Sequence, residues 1–175
     1  MLARRQLDEQ RQSFQEQSEI ARRQAQVTER SLAEQNERAR LTLEYDMLSR
    51  LGERTDIPHF LSRRRAAANY LLDNAFVDDD VVEVERLNTA AMDVCSILEE
   101  VGEILRLGVL RAEPVWNRFG IWAQGYWSVC KPTIEKMRKE WEDPSLFEEF
   151  EYLCRVLDEM DRKRGVAPRT QQWLR

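Results

Sequence analysis

No glycine or proline occurs before Gly52. A breaker-free stretch of good helix formers predicts one continuous helix, and at about 1.5 Å per residue it would span roughly 75 Å. No compact core is that wide, so such a helix is expected to serve as a stalk, a coiled coil or a juxtamembrane spacer. Its apolar residues are sparse: Leu7, Phe14, Ile20, Ala21, Ala25, Val27 and Leu32 stand among Gln, Arg and Glu.

The spacing of those residues carries two weak repeats. Leu7, Phe14, Ala21 and Thr28 recur every seven positions, with Arg11, Ser18, Ala25, Leu32 and Ala39 as companions. A coiled coil wants strong apolar residues at both sets, and half of these are polar or small. An eleven-residue echo joins Ala21, Leu32 and Leu43, and Phe14 with Ala25; that period winds the other way. Loose parallel self-association and a solvated helix held by pairs such as Glu19–Arg23 and Glu34–Arg38 both fit, each pair contributing about 0.2–0.5 kcal/mol.

With about 50 of 175 residues in this helix, roughly 120 remain, enough for one modest core. The expected organisation is a polar helix over 1–51, a helical bundle over 53–165 and a tail over 166–175, in which Trp173 is a candidate for docking. Gly52 is expected to stop the first helix, and Pro58 to open a second that runs to about Ala75 with Leu61, Ala68, Leu71 and Ala75 on one face. Asp78-Asp79-Asp80 then reads as the N-terminal cap of a third helix. In that helix Val84, Leu87, Ala91, Val94, Leu98, Val101 and Leu105 alternate by three and four, beside a second row of Ala90, Ile97 and Ile104. Two adjoining apolar rows mark the central helix of the bundle, and Gly108 supplies its stop. Glu113-Pro114 begins the fourth, with Val115, Phe119, Trp122, Tyr126 and Val129 inward. Pro132 should kink or break it before Ile134, Met137 and Trp141 resume the stripe. Asp143-Pro144 opens the last helix, with Phe147, Phe150, Cys154 and Leu157 inward and Gly165 at its end. The fold class is all-α: a long N-terminal helix leading into a four- to five-helix bundle.

Chemistry is scarce. His59 is the only histidine, which excludes two-histidine zinc motifs and paired Glu-x-x-His di-iron sets. No nucleophile elbow or phosphate loop accompanies it. Asp78–Asp80 lacks the glycine of a calcium loop. Glu99, Glu100 and Glu103 lie beside the packed stripe, where nothing sets two carboxyl pKa values apart. No catalytic residue, metal or cofactor is expected. Cys95, Cys130 and Cys154 form no Cys-x-x-Cys and read as three small buried thiols in a reducing compartment. A net charge of −5 argues against a nucleic-acid partner, which needs a phosphate-neutralising surface.

Two features suggest recognition. Trp116 and Trp127 fall off the inner stripe of the fourth helix, where aromatic side chains can anchor an interface. Arg63, Arg64 and Arg65 form the one basic cluster, suited to a protein partner or to anionic lipid. No run approaches 18 apolar residues, yet Met1-Leu2-Ala3-Arg4-Arg5 reads like the cytoplasmic flank of a membrane span.

The ordering of several pieces from about Leu41 to Arg164 resembles the domain-of-unknown-function 4760 family of bacteria and phages. These pieces are Thr42-Leu43-Glu44 leading into Leu51, Arg63-Arg64-Arg65-Ala66-Ala67-Ala68 with Tyr70-Leu71-Leu72, and Leu98-Glu99-Glu100-Val101-Gly102-Glu103-Ile104 followed by Leu107-Gly108-Val109-Leu110. Later come Trp116, Tyr126-Trp127, Lys131-Pro132-Thr133-Ile134 with Arg138, and Phe150-Glu151-Tyr152-Leu153. The Gln/Arg-rich upstream helix is similar to the family's linker after an N-terminal transmembrane helix, which implies an anchor before Met1 and a cytoplasmic place at the inner face of the membrane. The resemblance brings architecture and no activity.

These readings lead to the expectation of a non-enzymatic helical interaction or scaffold module, oligomerising through its N-terminal helix and binding protein partners through Trp116, Trp127, Arg63, Arg64 and Arg65. The rival expectation is a membrane-tethered sensor or effector subunit acting in phage defence.

Overall fold

The computed structural model describes the backbone of residues 2–78, 81–84 and 87–167, and the side chains of 14–74 and 87–167. Helix α1 spans Leu2–Asp56, α2 Pro58–Asp73, α3 Thr89–Arg106, α4 Ala112–Glu140 and α5 Glu148–Arg164. Strands β1 (Ala75–Asp78) and β2 (Val81–Val84) form one antiparallel hairpin, with Ala75 opposite Val84 and Asp78 opposite Val81. The all-α class stands, with this hairpin as its one interruption among the described residues. The chain divides into two compact units, residues 1–43 and 44–175.

The first unit is a single helix. From Phe14 to Leu43 every side chain is exposed except the half-buried Ser18. Local ion pairs join Glu19 to Arg23 at 3.8 Å, Arg30 to Glu34 at 3.2 Å and Glu37 to Arg40 at 3.8 Å. The first of these is the expected pair; Glu34 turns back to Arg30 instead of reaching Arg38. Leu7 and Arg11 lie outside the described side chains.

The second unit takes in the last turns of α1, where Glu44, Leu51, Gly52 and Thr55 are buried. Gly52 does not end the helix. A Cβ there would collide with the guanidinium of Arg118, which crosses this bare stretch of backbone to bond Asp56 at 2.6 Å. The stop is Pro58, which forces Ile57 into extended backbone (φ −65°, ψ 144°).

The centre of the unit is α3, which packs against α2, α4 and α5. Val94, Leu98 and Val101 on it, Leu71 on α2, Phe119, Tyr126 and Ile134 on α4, and Phe150, Leu153 and Leu157 on α5 are wholly buried. Gly102 lets α3 and α5 approach closely: a Cβ there would overlap the Glu149 carbonyl.

Three expectations about helix boundaries fail here. Residues around Val77 and Val81–Val84 pair as strands, as their β-branched content favours, so Asp78 ends β1 and caps no helix; Asp79 and Asp80 lie outside the described residues. Helix α3 starts later, with the Asn88 side chain accepting from the Ala91 amide at 2.9 Å. Helix α4 runs unbroken through Pro132, and α5 begins only at Glu148, after Phe147 in the left-handed region (φ 56°). On α2 the inward face is Phe60, Ala67, Ala68 and Leu71, while Leu61 is exposed. Trp141 is also exposed. Gly108 and Gly165, both at positive φ, end α3 and α5 as the sequence indicated.

Candidate interaction surfaces

Both off-stripe tryptophans of α4 meet α5. The Trp116 indole N–H donates to Asp161 at 2.7 Å, and the Arg164 guanidinium lies over its ring at 4.2 Å while bonding Glu113. Gln124, also on α4, donates to Asp158 at 2.6 Å and to Asp161 at 2.8 Å. A buried carboxylate is therefore held by two neutral donors, the arrangement that burying such a group requires. Trp127 meets Phe150 edge-on at 5.0 Å and lines a cleft of about 390 Å³ with Gln124, Ser128, Cys154 and Asp158.

The arginine run lies on α2 and divides its tasks. Arg63 pairs with Asp93 of α3. Arg64 stacks over Trp122 at 5.3 Å, and its carbonyl accepts from the Tyr126 hydroxyl. Burial pushes that phenol well above its ordinary pKa, against the opposing pull of Arg64. Arg65 is exposed. The tryptophans thus turn to α5 while Arg63 and Arg64 turn to α3 and α4. Four of the five sequence-predicted residues already have partners inside the bundle.

Two carboxylates to which the sequence assigned no structural role hold the elements together. Glu44 is buried and accepts from the Arg111 amide at 2.9 Å and from its Nε at 2.7 Å. Arg111 is the residue before α4, so this pair fastens the last turns of α1 to the α3–α4 turn. Glu99 of α3 accepts from the amides of Glu149 and Phe150, at 3.2 and 2.6 Å. Phe147 gives α5 no side-chain cap, so Glu99 caps that helix from a neighbouring element. Burial holds the Glu99 carboxyl above its ordinary pKa, and the two amide bonds offset part of that rise. Glu100 pairs with Arg54 at 2.6 Å, and Glu103 is exposed. No spacing rule announces such contacts, because their partners lie 50 or more positions away.

Cys95, Cys130 and Cys154 are free and buried. The Cys130 thiol is pushed well up by its hydrogen bond to Cys95 and by burial, and Cys154 is pushed up by burial and by Asp158. Thiols held protonated in this way are poor nucleophiles. Among the described residues no group of His, Cys, Asp and Glu is arranged to hold a metal, and no helix is long and apolar enough to cross a membrane.

Residues 1–156 match the family described as Domain of unknown function (DUF4760). The chain belongs to this family. No curated protein and no solved structure matched it. The family match covers α1 through about half of α5 and brings no activity with it, so the surfaces of this chain must carry its function. The most exposed apolar side chains on its described helices lie on α1: Phe14 at 74%, Val27 at 69% and Leu32 at 57%.

Proposed function

We propose that this chain is a non-enzymatic helical scaffold that works by protein association, with the N-terminal part of α1 as its association element. One observation carries the reading: from Phe14 to Leu43 every apolar side chain of the helix is exposed. A helix without tertiary packing rests on propensity and on ion pairs of a few tenths of a kcal/mol. Burying a Phe or Leu against a partner would add about 1.5–3 kcal/mol each. Trp116, Trp127, Arg63 and Arg64 are a weaker basis for binding, because internal contacts already account for them. Arg65 remains the candidate contact on the bundle.

The test is absolute mass by light scattering on a sizing column, using the full chain over a range of concentrations. The expected result is a mass above the monomer that returns to the monomer in the triple variant Phe14→Glu, Leu32→Glu, Leu43→Glu, with helical circular dichroism retained. A chain that stays monomeric at every concentration overturns this reading.

A further inference from the structure

We infer that the partner of α1 is a second copy of the same helix, aligned parallel and in register; this rests on the reading of α1 as an association element. In the continuous helix, Phe14, Ala25 and Asn36 recur every eleven residues. Ala21, Leu32 and Leu43 form a second row at the same spacing, next to the first. Eleven residues close three turns, so both rows run nearly straight along the helix, and all six side chains are exposed. The two rows form one narrow seam of Phe14, Leu32 and Leu43 with two alanines, which allow backbones to approach, and Asn36.

Orientation follows from what flanks the seam. One flank carries Arg22, Glu29 and Arg40; the other carries Gln17, Gln24, Ser31, Gln35 and Thr42, all uncharged. In a parallel two-fold pair each flank meets the opposite flank of its partner. The arginines then face amides and hydroxyls, which accept from them without repulsion. In an antiparallel pair each flank meets itself, so every centre that does not set Arg22 or Arg40 against Glu29 risks facing like charges. Asn36 adds register. A parallel pair in register places it opposite its own copy, where each amide can donate and accept, and a single seam asparagine is a known device for specifying alignment. A parallel pair shifted along the seam sets it against Ala, Leu or Phe, with its polar atoms unmatched, and a reversed pair matches it only when centred on residue 36, where the two copies share only half of the exposed stretch.

The experiment uses two full-length variants, Ala25→Cys and Ala39→Cys (Ala39 lies about five turns after Ala21, on the same side of the helix), first weighed by light scattering and then treated with a short bis-maleimide. The unaltered chain sets the background, since its three cysteines are buried, and Arg23→Cys reports the opposite face. The expected result is a mass of two copies, with both seam variants captured as covalent dimers and Arg23→Cys left uncoupled. An antiparallel pair can bring only one of the two positions onto its own copy. A dimer in which one or neither seam variant cross-links therefore overturns the inference and leaves the association reading intact. A mass of three or more copies also overturns the pair. A monomer overturns both.

Discussion

The last turns of α1, from Glu44 to Asp56, and the turns before them share one helix and have opposite surroundings. Beyond Glu44, Leu51 and Thr55 are buried, and a carboxylate is taken out of water because Arg111 meets it. Before Glu44, Phe14, Ile20, Val27 and Leu32 remain in water. Backbone geometry does not separate the two regions, because both are regular helix. Partners do. The same secondary structure is held by packing in one region, and by propensity and a few local ion pairs in the other.

Substitutions should expose that difference. The largest effect belongs to Leu98→Ala at the centre of α3, where lost burial and a residual cavity should lower stability by about 2–5 kcal/mol, read as a shift in urea midpoint. Next, Arg111→Ala leaves the buried Glu44 with only a backbone donor and should cost about 1.5–3 kcal/mol by the same measurement. A loss under 0.5 kcal/mol, within the usual range for surface changes, would mean that the last turns of α1 are not fastened as described.

Glu99→Ala removes the cap of α5 and should cost about 1 kcal/mol. Its pH dependence has a definite sign. Burial raises the folded-state pKa of Glu99, so the native state binds the proton more tightly than the unfolded chain. The associated stability is present at low pH and is lost as pH rises from the ordinary carboxylate range through the raised value. Glu99→Gln should lack this component, so its plot of unfolding free energy against pH should fall less steeply across that window. An unchanged slope would show that Glu99 does not titrate as described. The smallest effect should come from Leu32→Ala, measured where the chain is monomeric: unfolding of residues 44–167 should move by no more than about 0.5 kcal/mol. A larger loss would show that Leu32 has a partner within its own chain, and would erase the comparison.

Much of the fold was legible in the sequence. The three-four alternation from Ala91 to Leu105 announced a helix buried on several sides, and it lies at the centre of the unit. Gly108 and Gly165 announced two helix ends because positive φ suits glycine. The misreadings arose where local chemistry had two outcomes. Gly52 reads as a stop, yet here it is a slot for Arg118. The acidic triplet reads as a cap, yet the valines beside it pair as strands. Pro132 removes one hydrogen bond, and α4 continues through it without a break.

Of the candidate surfaces, the sequence singled out Trp116, Trp127 and Arg63–Arg65, but it could not tell an outward aromatic from one that closes onto α5. That depends on Asp161 and Phe150, whose positions only the fold sets. By itself, then, the sequence determined the helical class, the long first helix and the central place of α3, because periodicity and breakers act within a few turns. The tertiary structure decided which polar groups are buried, which helix caps another, and where along α1 packing begins. Each of those depends on partners that are distant in the chain and adjacent only after folding.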